Sequence, residues 1–158
     1  MREEKIYLDQ KGYQDYLADI EKLKEELNQN NRQKSSAYDS GVGDGWHDNF
    51  DFEHALREEF KIMGLLKKKM DDLEKIVIIE KDVETNRIGL DDYVKVKLFM
   101  NDEEDEFSFK LIASLSSKED EISINSPMGR AIYKKRIGDK ISYQVGDALF
   151  VVEILSKK

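Results

Sequence analysis

A chain of 158 residues with 39% hydrophobic and 38% charged residues is long enough for one ordinary domain or two small ones, and a single Pro argues against a low-complexity chain. A net charge of −8 disfavours non-specific binding to nucleic acid or to an anionic membrane, so contact with a nucleic-acid machine would have to be local or protein-mediated. The absence of Cys excludes disulfides and thiolate zinc sites, and neither a signal-peptide core nor a membrane-length apolar run is present, so a soluble cytoplasmic monomer is expected.

The first predicted element is a helix opening after Asp9, a candidate N-cap. Tyr16, Ile20, Leu23 and Leu27 follow in alternating steps of four and three, one apolar stripe among charges. The stripe fades through "NQNNRQKSSAY". If the helix continues to about residue 38 it is roughly 40 Å long at 1.5 Å per residue.

"DSGVGDGWHDNFDFE", residues 39–53, comes next and gathers Asp39, Asp44, Asp48 and Asp51 with the chain's only Trp, Trp46. Such a stretch reads as a solvated turn in which one aspartate caps the next helix, or as a tip that carries a ligand. His47, Asp51 and His54 have the spacing of one helix face, a weak metal signal. An EF-hand fails, because a loop started at Asp39 puts Asp44 where the obligatory Gly belongs. Trp46 and Phe50 are large apolar residues at a turn. They either close a local cluster with Tyr38 and Phe52 or meet a partner surface.

A second helical stripe runs Phe52, Leu56, Phe60, Met63, Leu66, Met70, Leu73 and Val77, with Lys67, Lys68 and Lys69 as a solvated face. Two such stripes joined by one Gly-rich break predict an antiparallel coiled-coil hairpin. Past Lys81 the period becomes alternating. "DDYVKVKLFM" predicts a strand, "NDEEDE" an acidic turn, and "FSFKLIAS" a second strand. "DEISINS" and "KISYQVGDALFVVEIL" supply at least three more, with Gly146-Asp147 as a hairpin turn. Pro127 opens a short helix in "SPMGRAIYKK". The expected fold is two-domain α+β, with a helical hairpin over residues 1–79 and a small antiparallel sheet with a short helix over 80–158.

"INSPMGRAIYKKRIGDKISYQV" resembles the C-terminal domain of the bacterial Gre transcript-cleavage factors, with Ser126, Pro127, Gly129, Arg130, Ala131, Lys135, Gly138 and Asp139 as the matching residues. Gly43-Asp44 and "DNFDF" at residues 48–52 resemble the tip of the same family's hairpin. The resemblance implies an FKBP-like C-terminal domain that docks on RNA polymerase, with Ser126, Pro127, Gly129 and Arg130 as partner-binding candidates beside Trp46 and Phe50. It also implies a hairpin that enters the polymerase secondary channel, where two tip carboxylates share Mg²⁺ with the polymerase and promote cleavage of backtracked RNA. The nascent RNA 3′ end would be met only indirectly, and the factor would assist another enzyme's active site.

Asp44 and Asp48 would carry that role, with Asp51 and Asp39 in reserve. The spacing differs from the family's Asp and Glu three apart, since alignment through "DNFDF" puts Gly45 where the family has Asp. An aspartate-rich tip also fits a non-cleaving regulator of the same channel. Basic charge near the tip on the first helix is confined to Arg32 and Lys34, which supports RNA contact weakly. The remaining alternatives are a peptidyl-prolyl isomerase and a coiled-coil adaptor.

Overall fold

The computed structural model describes residues 4–40, 50–81 and 86–158. Asp44, Trp46, His47 and Asp48 therefore lie outside the described residues. By contact the chain divides into one compact unit containing Gln14–Ile76 and a second comprising Lys5–Tyr13 with Val77–Lys158.

The first unit is built on two helices, α1 (Gln10–Ser40) and α2 (Phe50–Leu73). Asp9 caps α1 as its sequence suggests: its Oδ1 accepts from the Gly12 amide at 2.6 Å and its carbonyl from the Tyr13 amide at 3.0 Å. The helices run antiparallel. Tyr16 Oη donates to the Lys69 carbonyl, Asn30 Nδ2 to the Ala55 carbonyl, and the Tyr38 ring meets that of Phe52, so positions rising along α1 meet positions falling along α2.

On α1 the shielded face is Tyr16, Ile20, Leu23 and Leu27, as the stripe predicts, and it then continues through Asn30, Lys34 and Ala37. On α2 the shielded face is Phe52, Ala55, Glu59, Ile62, Leu66, Lys69 and Leu73, again in steps of three and four. This corrects the expected α2 stripe: Phe60, Met63 and Met70 are exposed, at 67%, 49% and 51%. The seam selects spacing over hydrophobicity, and it accepts Glu59 and Lys69 because each finds a partner on α1. Lys69 accordingly leaves the solvated face proposed for it. Its ammonium lies 4.4 Å from the centre of the Tyr16 ring and 3.0 Å from Asp19.

Burial pushes the Tyr16 phenol above its ordinary value near 10, with the nearby carboxylates of Asp72 and Asp19 acting in the same direction. A phenol that titrates higher in the folded chain contributes its full stabilisation below the unfolded pKa and loses it as pH rises through the folded one. Tyr16→Phe removes the hydrogen bond to Lys69 and is expected to cost about 1 kcal/mol at neutral pH. It should also flatten the loss of stability at alkaline pH, as urea titrations on either side of pH 10 would record.

The second unit contains a five-stranded sheet, β3 (Tyr93–Met100), β4 (Glu103–Ile112), β5 (Glu121–Ser123), β6 (Lys140–Val145) and β7 (Ala148–Lys157), in the order β5-β4-β3-β7-β6. It is mixed and not wholly antiparallel, because β4 and β5 pair parallel through Lys110–Glu121 to Ile112–Ser123. The acidic run is also not all turn. Only Asn101 and Asp102 turn, with φ of 48° and 66°, the left-handed pair that a two-residue hairpin needs. Glu104 and Glu106 belong to β4, where Lys97 and Lys95 pair with them at 2.5 and 3.1 Å. Opposite charge across the ladder turns an apparent loop into a strand.

Val94, Val96, Phe109, Leu111, Val152 and Ile154 point into the core with Ile88, Ile124 and Ile132. Two short strands, β1 (Ile6–Leu8) and β2 (Ile76–Ile78), pair as a separate ribbon, so Val77 lies in a strand and not in the helical stripe assigned to it. Asn125 extends the pairing of β1: its Oδ1 accepts from the Tyr7 amide and its Nδ2 donates to the Tyr7 carbonyl, both at 2.7 Å. One amide side chain thus imitates a neighbouring strand. Asn125→Ala is expected to cost about 1–2 kcal/mol and to speed amide exchange at Tyr7, measurable by hydrogen exchange.

Candidate functional site

The aspartate-rich stretch leaves two of its four carboxylates among the described residues. Asp39 stands in the last turn of α1 and Asp51 in the first turn of α2, where a negative charge also suits the amide end of the helix. Beside them a groove of about 390 Å³ is lined by Gln33, Ser36, Ala37, Asp51, His54 and Ala55.

Tyr38 and Phe52 come together with ring centroids 5.9 Å apart, one half of the local cluster considered for this end. Phe50 is 68% exposed, its ring 6.3 Å from that of His54. Among the described residues no three His, Asp or Glu side chains are grouped to hold a metal ion. Asp44 and Asp48, the other two candidate carboxylates of this stretch, lie outside the described residues. Lys34 is paired with Glu59 across the seam, which leaves Arg32 as the exposed cation on this part of α1.

The C-terminal motif resolves into structural and surface parts. Ser126 caps the short helix α3 (Pro127–Ile132): its Oγ accepts from the Gly129 amide at 3.1 Å and donates to the Ser123 carbonyl at 2.7 Å. Pro127 takes the first helical position, where its missing N–H costs nothing. Gly129 is buried, and a Cβ there would meet the Ser123 carbonyl oxygen at 2.0 Å. Gly138, with φ of 90°, turns the chain so that its amide donates to the Ile154 carbonyl at 2.7 Å, and Asp139 closes the turn by accepting from the Arg136 amide at 2.8 Å. Arg130 is exposed, with Nη2 3.4 Å from the Lys5 carbonyl.

Above this motif lies an open depression of about 570 Å³, whose walls include Leu115, Ile122, Pro127, Met128, Tyr143 and Val145. Burial raises the pKa of the Tyr143 phenol above its ordinary value. Sequence reasoning named Ser126 and Pro127 but missed Met128 and Tyr143. The latter pair belongs to different elements, α3 and β6, and only the folded sheet brings them to one wall.

Residues 84–157 match the family model described as the C-terminal domain of transcription elongation factor GreA/GreB. The chain is 30% identical over 112 residues to transcription elongation factor GreA of Clostridium acetobutylicum, covering 70% of this chain and 71% of the relative. It is 26% identical to GreA of Thermosipho africanus, covering 100% of this chain and 99% of that one. The chain belongs to the GreA/GreB family of transcription elongation factors. Among solved structures it is similar to GreA factor homolog 1 of Thermus thermophilus, at 21% identity and a TM-score of 0.44 over 98% of this chain and 99% of that one.

Proposed function

We propose that the protein binds RNA polymerase through the secondary channel and stimulates cleavage of backtracked RNA, with Asp44 and Asp48 as the carboxylates delivered to the polymerase centre. The observation that carries the reading is an antiparallel helix pair whose ends flank an aspartate-rich segment, in a chain of the GreA/GreB family. Long paired helices suit delivery of a few side chains into a narrow passage, since the seam holds the helices together.

Mg²⁺ shared with the polymerase would supply a clamp for the attacking and leaving oxygens of phosphodiester hydrolysis. Carboxylate oxygens suit it as ligands alongside retained water, so one or two donated groups suffice. The polymerase supplies the catalysis, and this chain orients and charges the site. The second unit would dock on the polymerase through the face around Pro127 and the neighbouring depression, where apolar walls meet polar groups.

A second reading, occupation of the channel without cleavage, is favoured by the tip spacing, because Asp48 stands four residues after Asp44. An assay on polymerase halted in a backtracked complex separates the readings. Shortened transcripts after addition of the protein and Mg²⁺ support cleavage stimulation. Slowed synthesis without shortening supports the second reading, and absence of binding sinks both.

A further inference from the structure

We infer that Asn30 and the Lys34–Glu59 ion pair form a polar clamp that positions the ends of α1 and α2 flanking residues 41–49; its functional consequence rests on the secondary-channel reading above. The run of large apolar residues in the α1 seam ends at Leu27, and the next three seam positions are Asn30, Lys34 and Ala37. Apolar contact is non-directional and tolerates sliding or rotation, whereas hydrogen bonds fix both. At this end of the helix pair, directional contacts stand between the apolar seam below Leu27 and the Tyr38–Phe52 ring contact above it.

Each contact is built and shielded. Asn30 is 8% exposed, the one polar side chain buried among the described residues, and its Nδ2 donates to the Ala55 carbonyl at 2.8 Å. Ala55 is itself 5% exposed, and its small side chain permits the close approach. One turn further, the Lys34 ammonium donates to Glu59 Oε2, with 25% and 18% of the two side chains exposed. A buried Asn or ion pair in a helical seam adds little stability over apolar packing, and its best-supported use is to specify register. The two clamp residues of α1 sit about 15 Å (Asn30) and about 9 Å (Lys34) along the helix from Ser40, at 1.5 Å per residue, so a small rotation there is carried directly to the flanking ends.

The Cys-free sequence permits a direct test on the full chain. Spin labels on Ser35→Cys and Glu53→Cys, both exposed, report the distance between the two helices near their ends. Glu59→Lys faces Lys34 with a like charge and is expected to broaden that distance distribution. The double variant Lys34→Glu/Glu59→Lys reverses the pair and should narrow it again. Asn30→Leu should keep or raise the thermal midpoint and still broaden the distribution, a combination that a purely stabilising role would not give.

On backtracked polymerase, the maximal rate of transcript shortening should fall about tenfold with Glu59→Lys, since small misplacements weigh heavily on reaction geometry. The half-saturating concentration should stay within about twofold, and the reversed pair should restore the rate. Unchanged distances in both Glu59→Lys and Asn30→Leu overturn the clamp. Altered distances with an unchanged maximal rate overturn its positioning role. Altered distances in a protein whose parent leaves polymerase unaffected support the clamp and overturn the proposed function.

Discussion

Gly129→Ala is expected to unfold the second unit or to lower its stability by about 3 kcal/mol or more, an effect at the upper end of overpacking changes. Adding a methyl group at a helical glycine ordinarily stabilises a protein by about 0.5–1 kcal/mol, because alanine loses less conformational freedom on folding. Here the steric term decides the sign. The added carbon would meet the Ser123 carbonyl oxygen at 2.0 Å and the Ile124 Cα at 2.8 Å. Both are backbone atoms, so no side chain can swing aside. The Ser123 carbonyl also receives the Ser126 amide and hydroxyl, which form the cap of α3, and Ile124 and Ile132 on either side are fully buried. Relief of the clash must move the cap or the core. Urea unfolding followed by tyrosine fluorescence measures the loss, and a stability within about 1 kcal/mol of the parent would contradict this packing account.

The largest functional effect is expected at the tip. Under the proposed function, Asp44→Asn with Asp48→Asn keeps size and polarity and removes charge. It should reduce stimulated transcript shortening by about a hundredfold, the upper range for disturbing a metal's supporting groups. Binding to polymerase, measured by competition with the parent protein, should change far less, since docking through the face around Pro127 is untouched. Asp51→Asn should have a smaller effect, because Asp51 stands in the first turn of α2. A double variant that shortens transcripts at the parental rate would remove these carboxylates from the mechanism and leave only family membership in place.

Much of this architecture was legible from local sequence rules. The Asp9 cap, the α1 stripe to Leu27, the alternating strand at Tyr93 and the Pro127 helix all follow from local rules, and the structure contains them. These errors share one physical cause, a partner on another element that local rules do not place. Glu59 and Lys69 read as surface charges until Lys34 and Tyr16 are placed opposite them, and this displaced the α2 seam from the Phe60, Met63 and Met70 line. Glu104 and Glu106 read as turn residues until lysines of β3 pair with them. Strand β1 has three residues and needs the amide of Asn125, 118 positions away, to complete its pairing.

The sequence shows an accumulation of charge over residues 39–53, and of its aspartates Asp39 and Asp51 lie in the helix turns that flank residues 41–49. The depression over α3 was only half legible, since Tyr143 joins Pro127 through tertiary packing.

The central claim is that the segment between α1 and α2 reaches the catalytic centre of RNA polymerase. It is tested most directly by replacing the polymerase's catalytic Mg²⁺ with Fe²⁺ and generating hydroxyl radicals at that point in the presence of the bound protein. The account predicts backbone cuts in this chain confined to about residues 39–51, because such radicals react within roughly the length of a short helix from their source. Cuts elsewhere in the chain, or none in a complex shown to be saturated, would contradict it.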